Sequence, residues 1–198
     1  SSQDSEDKKD AGDITLQTKL DQHYYNFLWK DMLKLPKADR EAIKKILSEE
    51  ISLRNAVLAL RMRTYYKMSD PEIREKFIAA EAEDKKAGKT FAADAEEALS
   101  MALDQRSAWA EWKWFSFLNP ENPQVPWKAD PRYFQNAASE HLYHLARFSF
   151  RRKPFSLDSI FCFIKLKQFE EDILTSVAEG LAIGMSSRDI FTLLEVET

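Results

Sequence analysis

Ser52-Leu53-Arg54-Asn55-Ala56-Val57-Leu58-Ala59-Leu60-Arg61 continues through Met62-Arg63-Thr64-Tyr65-Tyr66-Lys67-Met68 with neither glycine nor proline. It then meets Ser69-Asp70-Pro71-Glu72-Ile73. Leu, Ala and Arg are strong helix formers. Ser69 or Asp70 followed by Pro71 is the signature of a helix start, because the cap satisfies free N–H groups and Pro lacks one. The stretch therefore predicts a long helix over 37–68, a break and a new helix. Ile43, Ile46, Leu47, Ile51, Val57, Leu58 and Leu60 supply its apolar face.

Composition extends that reading to the whole chain. Four glycines stand in 198 residues, where average usage gives about fourteen. Parallel α/β folds and phosphate loops consume glycine, and neither G-x-G-x-x-G nor G-x-x-x-x-G-K-[ST] occurs. The expected fold class is all-α, built of long-helix bundles. A chain of this length buries a core without staples. Its single cysteine, Cys162, has no partner for an internal disulfide. With no signal peptide visible, the default compartment is the cytosol. The net charge of −4 argues against a generally basic nucleic-acid binder. No apolar run reaches the roughly 18 residues of a membrane span.

Outward from the long helix, residues 1–13 are charged and almost without apolar groups, and disorder is expected there. Leu16, Leu20, Tyr24, Phe27, Leu28 and Met32 follow helical spacing up to Pro36. A further helix is expected over 92–118. Pro120, Pro123 and Pro126 then exclude helix. They set a linker at 119–129 between helical subdomains at 14–118 and 130–198. Asp130-Pro131 caps a helix to about Arg151, Ser156 or Asp158 starts the next, and Ser186 or Ser187 caps a last short one.

Candidate sites are few. His141 and His144 share a helix face, but a zinc site needs a third ligand, and packing is the commoner role. Cys162, between Phe161 and Phe163, reads as a small apolar residue. Glu170, Glu171 and Asp172 read as a solvated helix edge. Trp109, Trp112, Trp114, Phe115 and Phe117 point in several directions, so beside core packing, Trp114 and Phe117 are candidates for contact with a second protein. Arg147, Arg151, Arg152 and Lys153 form a basic cluster among Phe148, Phe150 and Phe155. It suits a helix C-terminus, or contact with acidic protein, lipid headgroups or RNA. No motif supports catalysis, no metal is expected, and no cofactor is expected.

Met68-Ser69-Asp70-Pro71-Glu72-Ile73 is echoed by Met185-Ser186-Ser187-Arg188-Asp189-Ile190, again after a long helix that includes Phe169-Glu170-Glu171-Asp172-Ile173-Leu174. The two regions carry a resemblance. Residues 52–68, with Leu-Arg-Asn followed by Leu-Arg-Met-Arg-Thr-Tyr, resemble the Arg-Asn…Leu-Arg helix of the C (or d) subunit of V-type and A-type rotary ATPases. Phe163-Ile164-Lys165-Leu166-Lys167-Gln168-Phe169-Glu170, continuing to Gly180–Met185, resembles that subunit's C-terminal helix. Asp130-Pro131-Arg132-Tyr133-Phe134 resembles its helix-start motif. The match is most similar to the divergent bacterial form and spans about residues 50–196.

The resemblance implies related three-helix bundles and no catalytic site. It implies a central-stalk spacer that receives the rotor axle and sits on the membrane ring, coupling the two during proton or sodium transport. The implied partners are the axle subunits and the ring, with no nucleic acid. The implied position is cytoplasmic, peripheral on the inner face of the membrane through protein contacts. A full family member carries one more bundle, so an N-terminal portion is expected to be absent here. The alternative is a helical protein–protein adaptor unrelated to ATPases.

Overall fold

The structure is a computed structural model and describes residues 3–79, 91–152 and 156–194. Among the described residues there is no strand. Among these residues seven α-helices follow in order: α1 (Gln3–Leu33), α2 (Lys37–Arg61), α3 (Asp70–Arg74), α4 (Ala93–Ser100), α5 (Pro131–Arg152), α6 (Leu157–Ala182) and α7 (Ser187–Leu194). Helix α1, α4, α5 and α6 all pack on α2, α5 pairs with α6, and α7 closes on α6.

Three differences from the expected elements have physical causes. The backbone of residues 3–13, expected to be disordered, continues α1; once a helix is nucleated, each added residue costs little, even where Asp, Ser and Gly12 are poor formers. The long helix ends its α geometry at Arg61, and Met62–Tyr66 form one wider π turn. Thr64, Tyr65 and Tyr66 are poor helix formers, and Arg63 leaves the helix line to donate to the carbonyls of Ala98 and Met101 at 2.7 and 2.9 Å.

The third difference is larger. The helix expected over 92–118 stops at Ser100, and tight 3-10 turns follow at Arg106–Trp109 and Phe115–Phe117. A straight helix would point Trp112 and Trp114 about 200° apart. The folded-back chain instead buries both, together with Trp109. Each indole N–H finds an acceptor: Ala102 O at 2.8 Å, Asp94 O at 3.0 Å and Asp94 Oδ2 at 2.9 Å for Trp109, Trp112 and Trp114 respectively. Buried indoles need such partners.

The core surrounds α2. Leu53, Ala56 and Leu60 meet the three tryptophans and Phe134, Ala138 and Leu142 of α5. Ile43, Leu47 and Ile51 meet Tyr25, Trp29 and Met32 of α1. Ala59 and Met62 meet Ile73, Phe77 and Leu99. A large side chain buried in this way contributes roughly 2 kcal/mol over leaving it in water. The buried stripe of α1 is therefore Tyr25-Trp29-Met32. Of the expected stripe, Met32 is buried and Leu28 packs on the core, but Leu16, Leu20, Tyr24 and Phe27 are outside, Leu16 60% and Phe27 62% exposed. Both stripes have helical spacing, so periodicity alone did not separate them.

Residues 119–129 are non-helical, as Pro120, Pro123 and Pro126 require. Asn119 ties the segment shut. Its side chain donates to Lys128 O and accepts from Asp130 N, while Trp127 Nε1 donates to its carbonyl. Asp130 caps α5 by accepting from Arg132 N at 2.9 Å.

Candidate functional site

An open groove of about 2470 Å³ lies along α2, α5 and α6. Arg54 and Leu58 of α2, Tyr143 and Arg147 of α5, and Phe169 and Glu170 of α6 line it. Pockets for small molecules hold roughly 300–1,000 Å³. This space suits a protein segment such as a helix laid between helices.

The groove walls hold their positions through buried polar ties. Glu50 is buried where α1, α2 and α6 converge. Its carboxylate accepts from the Tyr25 hydroxyl at 2.6 Å, and Lys165 Nζ lies 2.8 Å from both oxygens. Arg54 Nε stands 3.5 Å away and its guanidinium covers the Tyr25 ring. Burial pushes the Glu50 carboxyl up, but Lys165, Arg54 and the Tyr25 hydroxyl together hold it below the ordinary carboxylate range. Burial, then the Glu50 charge, drive the Tyr25 hydroxyl far above its ordinary value, so it stays a donor. Such a pair resists separation, because either charge left alone in the interior is strongly unfavourable.

Asn55, fully buried, accepts from Ile78 N at 2.8 Å and donates to the carbonyls of Ile78 and Phe91 at 3.1 Å each. Asp94 Oδ2 accepts from Ser52 Oγ at 2.7 Å and from Trp114 Nε1 at 2.9 Å. Ser52, Arg54 and Asn55 thus all have work within the fold.

Arg147, Arg151 and Arg152 are exposed on the last turns of α5, with the Arg152 guanidinium over the Phe148 ring. Lys153 lies outside the described residues. Trp114 is buried, and Phe117 is half-buried against Phe134 and His141. The structure therefore does not bring the two aromatic candidates together with the arginines on one surface. His141 and His144 turn to different carboxylates, Glu49 at 2.7 Å and Glu140 at 3.5 Å. Among the described residues no three His, Cys, Asp or Glu side chains converge as a metal site would require. Cys162 is buried, and burial with the nearby Asp158 charge pushes its thiol up to about 11. Glu170 pairs with Lys167 on the groove wall.

Sequence reasoning missed Glu50–Lys165, Asn55 and Asp94. The signal for Lys165 was a lone lysine inside the apolar run from Ile160 to Leu166. Asn55 likewise interrupts the apolar stretch of α2.

Comparison with known proteins adds an independent line. Residues 4–191 match the sequence pattern of the ATP synthase (C/AC39) subunit family. An uncharacterized protein of Treponema pallidum (strain Nichols) is 31% identical over 166 residues, covering 84% of this chain and 48% of that protein. The chain thus spans about half the length of this relative. No solved structure matches it.

Proposed function

The chain belongs to the ATP synthase (C/AC39) subunit family, whose members are non-catalytic structural subunits of rotary ATPases, and from that premise we propose that it is a central-stalk spacer coupling the rotor axle to the membrane ring. The open groove along three long helices carries the reading, since it has the size for a protein segment and no catalytic constellation was found in the sequence. Glycine-poor helices locked by Glu50–Lys165 and Asn55 make a stiff body, as torque transfer demands. Its place would be the inner face of the membrane, held by protein contacts while protons or sodium ions are transported. No described helix is long and apolar enough to cross a membrane, which is compatible with a peripheral position. Family membership sets aside the reading as an adaptor unrelated to ATPases.

A photo-crosslinking amino acid at Tyr143, inside the groove, tests this in gently solubilised source membranes. The expected product joins this chain to an axle subunit. Purified rotary complex that lacks this chain, or contains it without any crosslink from Tyr143, overturns the reading.

A further inference from the structure

The far end of the α5–α6 hairpin combines two kinds of surface that the groove does not explain. Phe148 is 61% and Ile160 58% exposed, and Leu157 and Ile164 are also exposed. Beside them stand the exposed guanidinium groups of Arg151 and Arg152. Between Leu145 and Ile164 the only acid is Asp158, which is buried and turned to Ser156. The end is therefore cationic and apolar at once, in a chain whose net charge is −4.

The distribution of the apolar groups favours one class of partner. A helix docking on protein presents one stripe. Here Phe148 and Arg152 share one side of α5, whereas Phe150 and Phe163, 6.3 Å apart between centroids, belong to the groove wall. Leu157, Ile160 and Ile164 add spacing of three and four along α6. A liquid-like surface takes up apolar groups spread over the ends of two helices without a matching cavity, whereas a folded partner needs one shaped to them. Arginine is suited to such a boundary, because its stem packs with apolar groups while its head stays at the polar layer. Phe161 packs against the α1–α2 core, so the tip lies at the same end as the α1–α2 turn. At that turn Lys34 is paired with Asp31, and over the first turns of α2 the cations Lys37, Arg40, Lys44 and Lys45 outnumber Asp39 and Glu41, so the net charge of that end is positive.

We propose that the α5–α6 tip, through Phe148, Arg151, Arg152, Leu157 and Ile160, seats directly in the headgroup layer of an anionic bilayer. This contact goes beyond the spacer role and does not depend on it. It gives the chain a lipid footing of its own, in addition to protein contacts.

Co-sedimentation of the isolated 198-residue chain with vesicles tests it. Vesicles of phosphatidylcholine mixed with phosphatidylglycerol are expected to bind the chain, phosphatidylcholine alone to bind it far more weakly, and added salt to release it. Arg151→Gln with Arg152→Gln should weaken partition into the anionic vesicles roughly 30-fold, at the usual contribution of a basic residue near such a surface. Phe148→Ser with Ile160→Ser should weaken it roughly 10-fold or more, since both side chains are exposed and leave the apolar layer. Lys128→Glu, in the proline-rich segment, should leave it unchanged. Circular dichroism confirms that each variant retains its helices, as expected for exposed positions. The proposal is overturned by absent binding at low salt, by equal binding to both vesicle types, or by indifference to the arginine pair. Indifference to the Phe148/Ile160 pair overturns it as well, leaving only electrostatic adsorption. Arginine-dependent capture of rotary subunits without vesicle binding makes the tip a protein-docking face and also overturns it. The spacer reading survives any of these outcomes, because it is read from the Tyr143 crosslink.

Discussion

The break after α2 and the break after α6 are built to one plan with different residues. Each long helix ends in a residue with positive φ, then a methionine, a capping serine and a buried isoleucine. After α2 these are Lys67 (φ 51), Met68, Ser69 and Ile73; after α6 they are Gly184 (φ 80), Met185, Ser186 and Ile190. Ser69 gives both its N–H and its hydroxyl to the Glu72 carboxylate, at 2.9 and 2.6 Å. Ser186 accepts from Asp189 N and donates its hydroxyl to the Asp189 carboxylate. The positions that differ are the informative ones. In register with Arg63, which reaches out to end α4, the second break has Gly180, where α7 closes directly on α6. A Cβ at Gly180 would stand 2.9 Å from Ile190 Cγ1. The first break thus projects a long arm to a neighbouring helix, and the second removes a side chain to let one approach. A shared local recipe is adapted to two packing situations.

Helices α2 and α6 are joined by Glu50 and Lys165, so the largest expected effect comes from separating them. Lys165→Ala leaves Glu50 buried beside weaker counter-charge and should cost about 3–5 kcal/mol in urea unfolding near neutral pH. The pH dependence has a definite sign. Glu50 has a depressed pKa in the fold, so its contribution is present above an unfolded value of about 4.3 and is lost as pH falls through the folded value. Without Lys165, burial opposes the charged form, and protonation relieves the variant. The stability gap between parent and Lys165→Ala should therefore narrow on acidification. A gap that widens would show that Glu50 is not the group left exposed to the penalty.

Next in size is Gly180→Val, which forces a branched side chain against Ile190. It should cost about 1–3 kcal/mol, as overpacking does. The same unfolding measurement reads it, and earlier hydrogen exchange of α7 than of α3 would localise it. The two positive-φ positions should then move in opposite directions. Gly184→Ala should destabilise by about 1 kcal/mol, and Lys67→Gly should stabilise by up to about 1 kcal/mol, since a Cβ opposes left-handed backbone. Equal responses would break the parallel between the two turns. The smallest effects belong to the caps. Ser69→Ala and Ser186→Ala should each lose about 1 kcal/mol or less. The two losses should be about equal, because at each cap the hydroxyl both accepts from the backbone and donates to a carboxylate, while the Ser69 N–H bond to Glu72 survives the substitution. Thermal unfolding of the two variants side by side decides this.

These same regions show how legible the chain was. Capping serines, Pro71, Pro131 and the proline-rich segment act through bonds within a few residues, so their roles could be read locally. So could the likeness between the two breaks. The α1 face was not readable, because Leu16-Leu20-Phe27 and Tyr25-Trp29-Met32 have equally good helical spacing. Only the position of α2 selects the second. The helix expected through Trp109–Phe117 failed for a similar reason, as three indoles needed acceptors on Ala102 and Asp94 that a straight helix does not offer. Of the candidate contact residues, Arg147, Arg151 and Arg152 lie outside where their charge suggests, whereas Trp114 is enclosed and Phe117 partly so. Aromatic side chains are as much at home in a core as at an interface, and their sequence does not distinguish the two.

By itself the sequence determined that this is an all-helical protein, where most of its long helices break, and its membership in the ATP synthase (C/AC39) subunit family. The first two follow from backbone freedom and capping, each contained in a short span of chain; the third follows from a pattern spread over residues 4–191. The tertiary structure alone decided that α2 is the centre of the core, that Glu50 finds Lys165 across 115 positions, and that a groove remains open along α2, α5 and α6. Burial and charge pairing are properties of distant residues brought together. Their energies are set by distance in space and by exclusion of water, and neither is encoded at any single place in the chain.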